Sequence, residues 1–295
     1  MTAAKTVAAL HDLSGVGRCA LTVAIPVISA MGAQVIPAPT AVLSAHTAFP
    51  DFVGLDLTDY LEKCLEKWCG MGLSFDCIYT GYMATVRQEE IARRFFDAQP
   101  GAVKVVDPVL GDDGVMYRAL PKDMPQAMRR LCRGADVITP NLTEAALLTG
   151  GICESAAPDA LPGTKTDSRT YTAAELENLL TELMELGPKT ALITGVPLEG
   201  AHVNAWMSGD GRMHAVDYVP VPASFPGTGD LFASVLTGAL MRDMDFEAAV
   251  RLATAYVRQT MLHTVECGTE PVYGVQLEQT LSSLLQPIPK EALSE

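Results

Sequence analysis

The sequence predicts an α/β fold of three layers, with helices on both faces of a mostly parallel central sheet and an antiparallel hairpin at the sheet edge. Three observations carry that expectation. Short apolar, β-branched runs alternate with stretches of helical period along most of the chain, as a doubly wound parallel sheet requires. Residues 202–208 and 213–221 flank Gly209-Asp210-Gly211, a hairpin pattern that fits an antiparallel edge on an otherwise parallel sheet. The polar residues Asp12, Thr47, Tyr82, Asp107, Asn141, Glu144 and Thr194 each fall where a strand-like run ends, and open parallel sheets bind ligands outside the carboxyl ends of their strands.

Taken in order, residues 6–10 form a short apolar strand ending in the polar loop His11-Asp12-Leu13-Ser14-Gly15-Val16-Gly17, and a helix follows over about 19–31. Residues 34–43 read as a strand that Pro37 and Pro39 confine to an edge or make irregular. A helix over 57–71, a strand over 75–79, a helix over 87–98 and a β-branched strand over 103–106 come next. Residues 122–133 are helical, 136–139 strand, 143–149 helix and 189–193 strand. After the hairpin, helices are expected to start at Thr228, Phe246 and Gly274. Residues 150–172 break the rhythm: they are rich in Ala, Pro, Asp, Ser and Thr without a clear period, and read as a surface insertion.

With 295 residues, 48% of them hydrophobic and 19% charged, the chain can bury a large core as one domain over 1–295. Its 21 basic and 35 acidic residues leave a net charge of −14, which argues against nucleic acid or an anionic membrane as partner. An anionic small molecule stays possible, because local amides and a metal ion outweigh distant surface charge. The N-terminus lacks a basic stretch followed by a long apolar core, and no run of about twenty apolar residues occurs. The seven cysteines include no Cys-x-x-Cys pair, so reduced thiols in the cytoplasm are expected rather than disulfides or a zinc site. Cys19, at a predicted helix start, is expected to be a buried apolar side chain rather than a reactive thiol.

The chemistry concentrates in Phe225-Pro226-Gly227-Thr228-Gly229-Asp230-Leu231-Phe232. Two glycines bracket a threonine, an aspartate follows, and Leu231, Val235, Leu236, Ala239 and Leu240 continue with helical spacing. The first amides of a helix lack internal partners and, with the helix dipole, attract an anion. Glycine lets the backbone approach a phosphate closely. An aspartate there can take the proton of a hydroxyl attacking phosphorus, and the helix end is expected to favour its charged form. The other reading is a glycine turn whose aspartate merely stabilises the first helical turn, and the string alone leaves both open.

Seven motifs in order bring a resemblance into view. They are His11-Asp12-Leu13-Ser14-Gly15, Ser44-Ala45-His46-Thr47, Thr80-Gly81-Tyr82, Asp107-Pro108-Val109-Leu110-Gly111-Asp112, Ile138-Thr139-Pro140-Asn141-Leu142-Thr143-Glu144, Ile193-Thr194-Gly195 and Pro226-Gly227-Thr228-Gly229-Asp230. Over nearly its whole length the chain resembles the pyridoxal/pyridoxamine kinases of the ribokinase-like superfamily. The resemblance implies a ribokinase-like fold and ATP-dependent phosphorylation of the hydroxymethyl group of a vitamin B6 vitamer. It implies that Asp230 is the base and that the amides of Gly227, Thr228 and Gly229 hold charge on the transferred group, Thr228 and Gly229 also touching the nucleotide.

By the same resemblance, Asp107 and Glu144 serve Mg²⁺, with Asn141 ordering its waters. Tyr117, Thr139, Thr194 and Gly195 line the nucleotide, and Asp12, Thr47 and Tyr82 line the vitamer. His46 is expected to be a hydrogen-bonded structural histidine. The resemblance also implies a homodimer and leaves room for a monovalent cation. Related pyridoxal kinases carry a Ser-His pair where this chain has His11-Asp12. An aspartate there resembles the hydroxymethylpyrimidine kinases of thiamine synthesis, which makes that activity the second expectation. A non-catalytic nucleotide or vitamer sensor is the third, since fold does not fix function.

Overall fold

Strand β1 (Thr6–Val16) opens the chain, followed by α1 (Leu21–Ala30), β2 (Gln34–Ala45), the short β3 (Gly54–Asp56) and α2 (Thr58–Gly70). Then come β4 (Cys77–Thr80), α3 (Val86–Ala98), β5 (Val103–Val106), a small hairpin of β6 (Gly111–Asp112) and β7 (Val115–Met116), and α4 (Met124–Cys132). The second half runs β8 (Val137–Ile138), α5 (Leu142–Thr149), α6 (Ala173–Glu185), β9 (Thr190–Leu198), β10 (Ala201–Met207), β11 (Met213–Tyr218), α7 (Thr228–Met241) and α8 (Phe246–Glu266). The computed structural model describes residues 3–150 and 169–285, so most of the insertion read over 150–172 lies outside the described residues.

The main sheet has the order β11-β10-β9-β8-β5-β4-β1-β2-β3. From β9 to β2 its strands are parallel, while the β10–β11 hairpin adds antiparallel strands at one edge and β3 at the other. Parallel strands covered on both faces need apolar side chains in succession, and Val7, Ala8, Ala9 and Leu10 of β1 are all fully buried. One face packs on α2 to α6 through Leu61, Phe95, Met128, Leu148 and Leu180. The other packs on α1, α7 and α8 through Val27, Leu231, Val235 and Val250. The three-layer ribokinase-like expectation holds. No helix among the described residues is long and apolar enough to cross a membrane.

Four local expectations change. The polar segment 11–16 belongs to β1 and pairs with β2. A register shift makes this possible: His11 faces Pro39 and Leu13 faces Val42, so two residues of β2 lie opposite Asp12. The first helix starts at Leu21 rather than near Cys19, because Ala20 takes φ 49° and breaks the helical path. No α-helix begins at Gly274. Short 3₁₀ turns at Pro271–Tyr273 and Leu281–Leu284 replace it, held where the Thr280 hydroxyl meets those of Tyr256 and Thr260. Finally, α6 is an element absent from the sequence reading, although Thr172 and Glu175 form a reciprocal capping box at its start. Pro37 and Pro39 lie where β2 has no partner on its outer side, since β3 covers only Ala41 to Leu43.

Candidate active site

The carboxyl ends of the parallel strands meet the N-terminus of α7, and the turn before that helix is built around Gly227. This residue has φ 83° and a backbone so close to the Arg18 carbonyl that a Cβ would sit 2.0 Å from its oxygen. No side chain caps α7, so the amides of Gly227, Thr228 and Gly229 stay available to a ligand. The Thr228 hydroxyl is turned back onto the Phe225 carbonyl at 3.1 Å.

Asp230 lies one turn into this helix with its side chain 16% exposed. The expectation that the helix end favours its charged form is overturned. Burial pushes its pKa up to about 7, with the Asp12 charge adding to the rise and the Ala20 backbone amide opposing it. Desolvation of a side chain only 16% exposed outweighs the dipole and the Ala20 amide. Ala20 is a non-glycine residue at positive φ beside this candidate base.

Asp12 is buried and accepts the Ser14 hydroxyl at 2.6 Å. Burial raises its pKa, and Ser14 works against that rise. Tyr82 is half-buried, its carbonyl held by the Thr40 hydroxyl at 2.8 Å. Its phenol is pushed up to about 12 by burial and then by the charges of Asp12 and Asp56, so Tyr82 and Asp12 face a common space. Thr47 sits in the turn after β2, half-buried, beside His46. His46 places Nε2 2.7 Å from the Val272 carbonyl and accepts the Ala48 amide at Nδ1. It is the structural histidine the sequence suggests.

Asp107, at the end of β5, is buried. Its pKa lies well above the ordinary range because of burial and the nearby Asp230 charge, with Thr139 lowering it. Glu144 is also buried, and its pKa is raised by desolvation and by Asp107. Asn141 and Glu144 form a capping box on α5: the Asn141 side chain accepts the Glu144 amide, and Glu144 accepts the Asn141 amide, both at 2.9 Å. The other Glu144 oxygen takes the Leu110 amide at 3.1 Å, Asn141 donates to the Gly111 carbonyl, and the Thr143 hydroxyl accepts the Gly114 amide. The start of α5 thus pins the β6–β7 hairpin, which leads to Tyr117. The Tyr117 phenol feels Asp112, Glu144, Asp230 and Asp107 after its own burial.

Thr194, expected at a strand end, lies in the middle of β9, which runs on to Leu198; it bridges to Asn141 just beyond β8, with its amide on the Pro140 carbonyl. Gly195 follows at φ 72°, exposed, its amide held by Asn204. The structure therefore gathers Asp12, Tyr82, Asp107, Tyr117, Glu144 and Asp230 around one acidic centre, with Thr139, Asn141, Thr194 and Gly195 along its β8–β9 side. Thr47 stands at the rim. Sequence reasoning missed the Ala20 amide and the His11 ring, whose Nδ1 lies 3.9 Å from Asp230. His11 stands inside a quoted motif, but nothing in the sequence says that its side chain turns toward α7.

Two buried carboxylates with raised proton affinity and no basic group among the causes of their shifts are what a cation would relieve. Among the described residues no three His, Cys, Asp or Glu side chains converge enough to hold a metal alone. Both facts fit Mg²⁺, which keeps much of its water and takes few protein ligands when phosphates supply the rest.

Comparison with known proteins places the fold and the family of the chain. A protein from Bacteroides thetaiotaomicron, described as a phosphomethylpyrimidine kinase and crystallised with pyridoxal, is 39% identical; the match covers 97% of both chains with a TM-score of 0.83. The pyridoxal kinase of Lactobacillus plantarum is 31% identical, covering 96% of this chain and 97% of that one, also with a TM-score of 0.83. The pyridoxal kinase of Bos taurus is 26% identical, covering 82% of this chain and 79% of its own length. Residues 24–274 match the family model for phosphomethylpyrimidine kinase, and the chain belongs to that family.

Proposed function

We propose that this chain transfers the γ-phosphoryl group of ATP to the 5′-hydroxymethyl of pyridoxal, pyridoxamine or pyridoxine. The observation that carries the proposal is Asp230, a carboxyl of near-neutral pKa at the uncapped start of α7. A base whose pKa lies near the working pH is well suited to accept a proton during transfer. The relatives support the substrate class: one at 39% identity was crystallised with pyridoxal, and one at 31% is a pyridoxal kinase.

In this reading Asp12 and Tyr82 orient the pyridine ring, with Thr47 at the rim, and set its hydroxymethyl beside Asp230. The alcohol oxygen bonds to the γ-phosphorus as its proton passes to Asp230, and the bond from that phosphorus to the ADP oxygen breaks. The amides of Gly227, Thr228 and Gly229 hold the charge on the group in flight. Thr139, Asn141, Thr194, Gly195 and Tyr117 line the nucleotide, with Thr228 and Gly229 reaching its terminal phosphate. Mg²⁺, when bound with the nucleotide, would neutralise phosphate charge. Asp107 would hold it directly, and Glu144 would act through the hairpin and waters it orders, because its oxygens already accept two backbone amides. A monovalent cation is part of the same reading.

We place the chain in the cytoplasm as one kinase domain over 1–295, with free thiols and no nucleic-acid or membrane partner. We propose a homodimer formed through the overhanging end of the sheet. There Leu13, Val42 and Leu55 are cross-strand neighbours and stand 39%, 40% and 62% exposed, an apolar row that a second copy would cover.

The rival substrate is hydroxymethylpyrimidine, favoured by Asp12 and by the description of the matched family. The test is ADP formation with pyridoxal, pyridoxamine, pyridoxine and hydroxymethylpyrimidine side by side. A higher kcat/KM for a vitamer is expected, and a higher value for the pyrimidine would overturn the choice. A pure sensor would give no ADP with any of them.

A further inference from the structure

His11 is a buried titratable side chain at this centre that the proposed mechanism leaves idle. Its ring is fully buried, and neither ring nitrogen has a hydrogen-bond partner. Burying an unpaired polar group is costly, and a leucine would have filled the space without that cost. The ring is also fixed in place. It meets Tyr79 edge-on with centroids 4.3 Å apart. On another side it lies against Gly81, where a Cβ would come within 1.9 Å of Cε1. The register shift that begins at His11 is a device that re-aims side chains in a strand. What the ring faces is the base: Nδ1 is 3.9 Å from Asp230 Oδ1, about 1 Å beyond hydrogen-bond reach.

We infer that His11 is a positioning residue for the phosphoryl transfer: when alcohol and nucleotide fill the cleft, its neutral ring N–H closes onto the Asp230 carboxylate and holds it toward the attacking oxygen. His11 gives up no proton in the step. The alcohol proton goes to Asp230, and the imidazole donates a hydrogen bond throughout. Burial supports the neutral form, lowering the His11 pKa to about 3. The other groups that face Asp230 do not replace it. Asp12 and Asp107 are carboxyls, the buried Tyr79 hydroxyl has no hydrogen-bond partner, Asp230 included, and Cys19 and Tyr117 make no hydrogen bond to Asp230. The Ala20 backbone amide only partly offsets the burial of Asp230. The inference rests on Asp230 acting as the base proposed above.

The test compares wild type with His11→Leu and His11→Gln, using pyridoxal and hydroxymethylpyrimidine with ATP and Mg²⁺. In His11→Leu, kcat should fall roughly 10- to 100-fold, the order expected for a misplaced catalytic group. Both KM values should stay within about twofold and the melting temperature should not fall. Its acidic limb in kcat should move to higher pH, because the Asp230 carboxylate loses a donor. His11→Gln, which restores an N–H near the same point, should recover at least part of kcat and return the limb toward wild type. A His11→Leu variant with kcat within about twofold of an active wild type overturns this inference alone. So does a loss of rate that tracks a falling melting temperature and that glutamine does not relieve. A wild type that phosphorylates neither alcohol overturns the parent reading and this one with it.

Discussion

Asp230→Asn separates the proposed base from a mere helix-start residue, because it predicts opposite changes in rate and stability. The folded chain holds the carboxyl at a pKa of about 7, whereas an unfolded aspartate titrates at about 3.9. Far below pH 4 both states are protonated and the group contributes nothing. As pH rises the unfolded state releases its proton first, so folding is penalised by about 1.4 kcal/mol for each pH unit until the folded group also ionises. The cost reaches about 4 kcal/mol above neutral pH and stays constant beyond. The side chain is only 16% exposed, so solvent screening removes little of it. Asparagine keeps the shape and cannot ionise. After the cost of burying its amide, the variant should gain about 2–4 kcal/mol at pH 7.5 and under about 1 kcal/mol at pH 4.5. In melting temperature the neutral-pH gain is roughly 5 °C or more. Turnover of pyridoxal should fall roughly 10²- to 10⁴-fold, with ATP binding nearly unchanged. Paired melts at the two pH values and a coupled ADP assay measure both. A variant no more stable than wild type at pH 7.5, or one that keeps its turnover, refutes the reasoning.

Three further outcomes follow from the geometry. Gly227→Ala would place a methyl 2.0 Å from the Arg18 carbonyl at φ 83°; a stability loss of about 2 kcal/mol or more with collapse of activity is expected in melts and turnover. Glu144→Gln can accept only one of the two amides that Glu144 now accepts; a loss of about 1–3 kcal/mol and a higher Mg²⁺ requirement should appear, and an unchanged metal titration would count against the role given to Glu144. Replacing Val42 and Leu55 together by Asp puts charge into the exposed apolar row; light scattering should report a monomer that still unfolds cooperatively, its melting temperature no longer dependent on protein concentration, and a persistent dimer would place the interface elsewhere.

Much of this was legible before any coordinates. The compact run at β5 gave its own boundaries, because four β-branched or basic residues between turn signals leave little choice. The Gly227-to-Asp230 turn was visible because close backbone approach and a helix start both leave marks in residue type. What escaped depends on register and packing. The β1 extension could not be read, because polar residues 11–16 stay in the strand only by pairing with β2 through a shifted register. His11 escaped for the same reason: the direction of one ring is a tertiary fact. The pKa of Asp230 was misjudged because the dipole is local in sequence whereas desolvation comes from the whole cleft. The turns after residue 270 carry helix-like apolar spacing, but Gly274 at φ 71° and contacts to α8 decide their path.

The most direct test is a structure of the chain with a non-hydrolysable ATP analogue and pyridoxal bound together. The account predicts the Asp230 carboxylate about 3 Å from the 5′-hydroxyl oxygen, with the terminal phosphate on the amides of Gly227 to Gly229. A vitamer bound away from Asp230, or a phosphate that leaves those amides empty, would contradict it.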